Sequence, residues 1–298
     1  MFPVPDSNTA RRLRDLLAGP DLLQMPCCFD ALSARLVERA GFPLTFMSGF
    51  AVAAARLGLP DTGLLSYGEM EAQGRDICQA VTLPVIGDGD TGYGNAVNVM
   101  RTVTGYARAG FAGVMIEDQL SPKRCGHTTG KSVIDFDEAS RRMQAAVDAR
   151  SALRDRGGDI VLVARTDARA THGLDEALRR AQRFADLGAD VLFVEAPESI
   201  AEMTRLCAEL PGVKMANMVE GGRTPVLPPA ELQGLGYGLV AYPLTLLNAA
   251  IVAMERVLGE IGDGRTPSGL LDFAGLRERV GFDVYDALAE RYASPPGG

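Results

Sequence analysis

The sequence predicts an α/β fold: a (β/α)8 TIM barrel with a C-terminal helical extension, in one chain of 298 residues. Three observations point there. Eight short apolar runs, each of about four or five residues, recur along the chain. Helix-period stretches separate them. Polar residues stand just after the runs, at the strand ends where barrels carry their active sites. A prior of roughly 150 residues per domain suggests two domains, but barrels run to about 250 residues as one unit.

The first run is Leu22–Pro26, followed by a helix over Asp30–Ala40 with Leu32, Leu36 and Val37 at helical spacing. Pro43–Met47 ends at Ser48-Gly49, and Leu83–Gly87 at Asp88-Gly89-Asp90. Gly113–Ile116 ends at Glu117-Asp118, and Ile160–Ala164 at Arg165-Thr166-Asp167. Val191–Val194 ends at Glu195, Val213–Ala216 at Asn217, and Leu239–Ala241 at Tyr242. Helical patterns fill the gaps at Tyr67–Ala80, Ala96–Ala109, Asp137–Arg154, Leu174–Gly188, Ser199–Leu210 and Pro229–Leu235. Gly110 and Gly188 stand where helix C-cap glycines are expected. A doubly wound sheet is the competing arrangement. It usually has fewer strands and a glycine fingerprint after the first, and no GxGxxG follows the first run here. Residues 1–258 read as the barrel. Residues 259–298 read as a helical extension of the same domain, with a hinge-like loop at Gly259–Ser268, helices over Leu270–Tyr292 and a frayed SPPGG end.

Composition excludes several classes. Thirty basic and 38 acidic side chains leave a net charge of −8 without a basic cluster, which argues against a nucleic-acid partner. No apolar run reaches the roughly 18 residues of a membrane helix, so no membrane partner is expected. The N-terminus lacks the apolar core of a secretory signal. Five cysteines form no CxxC pair, which fits a reducing, cytoplasmic setting.

Four motifs carry chemistry. In Asp88-Gly89-Asp90-Thr91-Gly92-Tyr93-Gly94, two carboxylates at a strand end could converge on a hard cation, with Glu117 completing the set. Oxygen-only ligands favour Mg2+ or Mn2+; the alternative is a pair of turn-forming aspartates. Lys123-Arg124-Cys125-Gly126-His127 sets one thiol beside potential cations, which would lower its pKa. Gly126 and Gly130-Lys131 suggest a mobile loop able to close as a lid, and the plain alternative is a solvated basic loop. Arg165 could hold a substrate carboxylate bidentately or pair structurally with Glu195. Ser48-Gly49-Phe50-Ala51 could cradle an anion with consecutive N–H groups, or be an ordinary turn.

Together the stretches FMSGFAVAAARLGLPDTG, GDGDTGYGNAVNV, IEDQLSPKRCGHTTGK, LVARTDAR, FVEAP and NMVEGGRTP resemble the isocitrate lyase/phosphoenolpyruvate mutase superfamily, in its short-chain branch. The resemblance implies a homotetramer in which the last barrel helix is exchanged between subunits. It implies Mg2+ near Asp88, Asp90 and Glu117, held partly through water, with Asp61 in the metal's surroundings. It implies that Ser48, Gly49 and Phe50 cradle the carboxylate of an α-keto acid, and that Arg165 binds the same end. Lys123, Cys125, Gly126 and His127 match the gating loop, with the thiol as proton donor. Glu195 and Asn217 match positions that support the second carboxylate.

A cysteine in this loop is similar to the C–C lyases of the superfamily, which cleave 2-alkylmalates or methylisocitrate to pyruvate or another α-keto acid and a carboxylic acid. Phe46 and Phe50 depart from the methylisocitrate lyase pattern of Tyr-Leu-Ser-Gly-Gly. Pro243 stands where oxaloacetate hydrolases of the group carry serine. The alternative activities are a carboxyphosphonoenolpyruvate phosphonomutase, which shares the Lys-Arg-Cys-Gly-His loop, or an oxaloacetate hydrolase or decarboxylase. The expected partner is therefore a small di- or tricarboxylate. It would meet a locally positive pocket made by Lys123, Arg124, His127, Lys131 and Arg165.

Overall fold

The structure is a computed structural model that describes residues 8–126 and 130–293. His127 and the SPPGG terminus lie outside the described residues. The strands are β1 (Leu23–Cys28), β2 (Thr45–Met47), β3 (Val85–Asp88), β4 (Gly113–Glu117), β5 (Val161–Thr166), β6 (Val191–Val194), β7 (Val213–Asn217) and β8 (Leu239–Tyr242). They pair in sequence order, all parallel, and β1 closes on β8 through Leu23↔Leu239 to Pro26↔Tyr242. This is the (β/α)8 barrel the sequence predicts.

The helices are α1 (Thr9–Leu17), α2 (Ala31–Arg39), α3 (Gly49–Leu57), α4 (Tyr67–Ala80), α5 (Ala96–Ala109), α6 (Phe136–Arg154), α7 (Ala168–His172), α8 (Leu174–Leu187), α9 (Ile200–Glu209), α10 (Pro229–Leu235), α11 (Thr245–Gly262), α12 (Phe273–Val280) and α13 (Phe282–Arg291). Their starts are written in the sequence. Asp30 caps α2, Ser66 caps α4 and Asn95 caps α5, each in a reciprocal capping box. Gly110, at φ 104°, ends α5 in the left-handed region a Cβ would disfavour.

Chain contacts divide the described residues into two compact units, 8–247 and 248–293. The first holds the whole barrel; α11 starts in it and runs on into the second. Helix α11 continues to Gly262, so the start of the expected 259–268 loop is helical, and the turn falls at Gly264 with φ 71°. Among the described residues no helix is long and apolar enough to cross a membrane. All five cysteines are free thiols.

Strands β3 to β6 are buried along their full length, which is why they read as continuous apolar runs. Side-chain alternation sorts them into two cores. Phe46, Ile86, Met115, Val161, Val163, Phe193, Met215 and Ala241 form one cluster that fills the barrel interior. Their strand neighbours, such as Val114, Ile116, Leu162, Ala164, Leu192 and Ala216, pack in the other, against the helices.

The same alternation gives Glu117 and Asp118 opposite duties. Asp118 follows the helix-facing parity of Ile116 and accepts from Thr166 Oγ1 at 2.7 Å, the Asp167 N–H at 2.9 Å and Arg180 Nη1 of α8 at 3.0 Å. Both Asp118 and Arg180 are buried. Asp118→Ala would strand the guanidinium beside Ile134 O and Glu176 alone. Removing one partner of a buried pair costs roughly 3–5 kcal/mol, and urea unfolding of the variant against wild type measures that loss.

Candidate active site

Counting two residues on from each barrel-interior side chain reaches the polar layer. Phe46 leads to Ser48, Ile86 to Asp88, Met115 to Glu117, Val163 to Arg165, Phe193 to Glu195, Met215 to Asn217, and Ala241 to Pro243. The site is therefore the last inward-facing layer at the C-terminal ends of the strands. The β alternation aims this layer inward, and the loops beyond the strands add Asp61, Asp90, Lys123, Cys125 and Gly126 to it. Above them lies a cleft of about 570 Å³, partly open to solvent. Of the residues singled out in the sequence, Ser48, Phe50, Asp61, Asp88, Lys123, Cys125, Gly126, Arg165, Glu195 and Asn217 line it. Gly49, Asp90 and Glu117 sit immediately behind that lining.

Arg165 is the hub of one half. Its Nε lies 2.8 Å from Asp167 Oδ2 and 3.2 Å from Glu117 Oε2; its Nη2 lies 3.2 Å from Glu195 Oε2. Asn217 Nδ2 donates to Glu195 Oε2 at 3.4 Å, and the guanidinium stacks 5.4 Å from the Phe193 ring centre. Burial works against the Arg165 cation, but Asp167, Glu195 and Glu117 more than offset it and hold its pKa well above the ordinary value. Burial likewise opposes the Asp167 carboxylate, yet Arg165 and Lys131 bring it down to about 2. The two sequence readings of Arg165 thus coexist: it is paired with Glu195 and also faces the cleft.

Lys123 is the hub of the other half. Its ammonium lies 2.7 Å from Asp61 Oδ1 and 2.7 Å from Asp90 Oδ1. It is buried, and burial alone would discharge it. The carboxylates of Asp90, Asp88, Asp61 and Glu117 keep its pKa well above the ordinary lysine value. Lys123 is therefore turned to the acids and does not stand as a free cation beside the thiol. Asp88 is held by backbone: Gly49 N–H donates to Oδ2 at 3.2 Å and Asp90 N–H to Oδ1 at 3.0 Å. Tyr106 fixes the Asp88 carbonyl at 2.8 Å. Asp90 takes the uncommon left-handed conformation, φ 47°, in the turn that brings its carboxylate to Lys123.

The anion cradle read from Ser48-Gly49-Phe50-Ala51 is the N-terminus of α3. Ser48 caps it, accepting from the Ala51 N–H at 3.3 Å. Gly49 is required, since a β-carbon there would fall 2.6 Å from Asp88 Oδ2. Cys125 is half-buried in the cleft wall, whereas the other four cysteines are buried. Gly126 presses on the hub; a β-carbon on it would fall 2.5 Å from Glu195 Cδ and 2.6 Å from Arg165 Nη2.

The charge balance differs from the positive pocket expected from sequence. Among the described residues, Asp61, Asp88, Asp90, Glu117, Asp167 and Glu195 are six carboxyl groups against the four cations Lys123, Arg124, Lys131 and Arg165. The basic residues stand out in the sequence because the acids that neutralise them are scattered along it. The carboxylates register the excess. Burial, with Asp88 and Asp61 nearby, pushes Asp90 up to about 6 despite Lys123, and burial drives Glu117 well above the carboxylate range. Glu117 Oε1 is buried with no hydrogen-bond partner. Among the described residues no three side chains form a ready-made metal cage. The donors Asp88, Asp90 and Glu117 are nonetheless all oxygen, and an orphaned carboxylate oxygen among surplus negative charge suits a hard cation bound partly through water.

The opposite wall is apolar: Phe46, Phe50, Met215, Val219, Pro243 and Leu244. Two further residues take positions at the site that the sequence does not assign them. Lys131 is buried and paired with Asp167, and Gln119 is buried beneath Arg124.

A closed parallel barrel with such a cleft at its strand C-termini is the architecture of a barrel enzyme. The chain belongs to the phosphoenolpyruvate phosphomutase family, whose sequence pattern matches residues 13–262. It is 41% identical over 291 residues to 2,3-dimethylmalate lyase of Eubacterium barkeri, covering 96% of this chain and 99% of that one. It is 46% identical over 273 residues to the petal death protein of Dianthus caryophyllus, covering 90% and 84%. It is 40% identical over 298 residues to the chloroplastic carboxyvinyl-carboxyphosphonate phosphorylmutase of Arabidopsis thaliana, covering 97% and 86%. Among solved structures, oxaloacetate acetylhydrolase bound to 3,3-difluorooxalacetate matches with TM-score 0.92 and 33% identity, over 99% of this chain and all of that one (100%). Phosphonopyruvate hydrolase in complex with oxalate and Mg2+ matches with TM-score 0.83 and 30% identity, over 95% and 99%.

Proposed function

We propose that this enzyme is a carbon–carbon lyase that cleaves a 2-hydroxy dicarboxylate with an alkyl branch, of the 2-alkylmalate type, to pyruvate or a related α-keto acid and a carboxylic acid. One observation carries the reading: a single cleft joins a carboxylate-and-arginine floor to an apolar wall, with one half-buried thiol between. The floor suits the 2-hydroxy acid end and the wall suits an alkyl group. The similarity to 2,3-dimethylmalate lyase supports the same reaction class.

Asp88, Asp90 and Glu117 would hold Mg2+ or Mn2+, and the cation would supply Lewis-acid stabilisation of charge building on the substrate oxygens. The chain's own groups do the rest. Arg165 and the N-terminus of α3, at Ser48, Gly49 and Phe50, orient the carboxylate next to the hydroxyl. Glu195 and Asn217 hold Arg165 in place. Loss of the hydroxyl proton breaks C2–C3, and the bond electrons become the enolate of the departing acid. Cys125 gives its proton to that carbon as general acid, with His127 assigned to the same loop. The hydroxyl proton lost and the carbon proton gained balance, so the cycle needs no other co-reactant. Phe46 has no proton-accepting atom, so it is excluded as the base. Lys123 acts as counter-cation to Asp61 and Asp90.

The similarity to oxaloacetate acetylhydrolase raises hydrolysis as a second reading. Pro243 and Leu244 favour the lyase, because they offer that wall of the cleft no hydroxyl. A panel of 2-alkylmalates, methylisocitrate and oxaloacetate, scored by α-keto acid release against oxalate release, tests the assignment. Turnover confined to oxaloacetate, with oxalate as product, would overturn it.

We extend the proposal to a helix-exchanged homotetramer. In the second compact unit Val252, Leu258, Leu271 and Phe273 are 59%, 66%, 56% and 73% exposed, more apolar surface than one short segment normally leaves to water. Light scattering should return the mass of four chains, and a monodisperse monomer would count against it.

A further inference from the structure

The main chain on either side of Cys125 is held by a buried side chain. On the upstream side, Gln119 engages both backbone groups of Arg124: its Nε2 donates to the Arg124 carbonyl at 2.8 Å, and its Oε1 accepts from the Arg124 N–H at 3.0 Å. On the downstream side, Lys131 Nζ donates to the Gly126 carbonyl and to Asp167 Oδ1, the latter at 2.9 Å. Gln119 is 1% exposed, and the Lys131 and Asp167 side chains are 2% and 0% exposed.

Both clamps rest on rigid supports. Gln119 pairs with Val133 in an antiparallel bridge. Flanking it, Leu120 N–H donates to Ser132 O at 2.8 Å and Ile134 N–H to Asp118 O at 2.9 Å. Asp167 is fixed by Arg165 at 2.8 Å and, through its own N–H, by Asp118 at 2.9 Å. The Lys131 clamp therefore ties Gly126 to the arginine hub on which Gly126 packs. Burying an ammonium costs several kcal/mol before its partners compensate, and a purely structural tie is met as well by apolar packing. A buried lysine shared between a loop carbonyl and the hub carboxylate Asp167 points to a geometric duty.

We propose that Lys131 and Gln119 are positioning residues for Cys125, fixing the Arg124–Cys125–Gly126 backbone so that Cys125 lines the cleft while Gly126 packs on Arg165 and Glu195. The catalytic consequence rests on Cys125 being the proton donor; the positioning itself does not.

The test uses the full-length protein and the variants Lys131→Met and Gln119→Met, with folding checked by circular dichroism. Because the other four cysteines are buried, the iodoacetamide alkylation rate followed by peptide mass spectrometry reports on Cys125. Both variants are expected to alkylate roughly tenfold faster, as the loosened backbone lets the thiol reach solvent. They should lose about tenfold to a hundredfold in kcat with KM held within about threefold, the cost of misplacing one reacting group. In a Cys125→Ala background, Lys131→Met should cost no further kcat, since groups acting as one unit are not additive. Alkylation rates within about twofold of wild type in both folded variants would overturn the proposal. If Lys131→Met fails to fold, Gln119→Met decides by the same criteria. If Cys125→Ala keeps full turnover while the variants still alkylate faster, the positioning stands and the proton-donor reading falls.

Discussion

Replacing Cys125 by alanine is expected to lower kcat by about a hundred- to ten-thousandfold with little change in KM, the range a positioned general acid contributes. The argument is one of access and substitution. Among the five thiols, only Cys125 is other than buried. Cys27, Cys28, Cys78 and Cys207 are buried, and none of them lines the cleft. No second thiol can take over. The enolate forms in the cleft that Cys125 lines, and a proton must reach its carbon before the acid departs. Steady-state kinetics on the alkylmalate that turns over best checks the prediction, with Cys125→Ser as the smaller perturbation. Undiminished turnover in both would remove Cys125 from the mechanism.

The second large effect is metal removal. Exhaustive dialysis against a chelator is expected to lower turnover by about a thousandfold, the equivalent of several kcal/mol of lost charge stabilisation. Added Mg2+ or Mn2+ should restore it. The reason lies in the charge balance. Among the described residues, a dianionic substrate approaches six carboxyl groups held by four cations, and Glu117 Oε1 is buried without a hydrogen-bond partner. Without added positive charge, Asp90 stands at about 6 and Glu117 well above the carboxylate range, because burial disfavours their ionised forms. Titration calorimetry gives a readout independent of turnover: Mg2+ should bind wild type and bind Glu117→Gln at least tenfold more weakly. Full activity in protein shown by elemental analysis to be metal-free would refute the assignment.

What could be read from the sequence, and what could not, follows from how the barrel uses its residues. The strands were legible because both faces are buried, which leaves uninterrupted apolar runs such as Val161–Ala164. Six of the eight run one or two residues beyond their apolar stretch; β2 and β6 end with theirs, at Met47 and Val194. Asp88, Glu117, Arg165, Thr166 and Asn217 look like loop residues, yet they remain in the sheet as its inward and outward pairs continue. The inward parity that sorts Glu117 from Asp118 was available in the same strings and would have assigned both. Helix α3 was read as an anion-binding turn because Ser48-Gly49 resembles one; the Ala-rich stretch Ala51–Ala55 behind it is the helix signal. The pairings were out of reach. Nothing local says that Lys123 turns to Asp61 and Asp90, or that Lys131 reaches back to Gly126 and across to Asp167, because those partners meet only when the barrel closes. For that reason the loop read as positive, while the folded site carries surplus negative charge.

The most direct test of the lyase account is NMR of the products formed from a 2-alkylmalate in D2O with Mg2+ present. The account predicts an α-keto acid and a carboxylic acid in equal amounts. The carboxylic acid should carry one deuterium at the carbon released from C2, delivered by an exchangeable group such as the Cys125 thiol. Absence of cleavage across the 2-hydroxy dicarboxylates, or cleavage with no deuterium at that carbon, would contradict it.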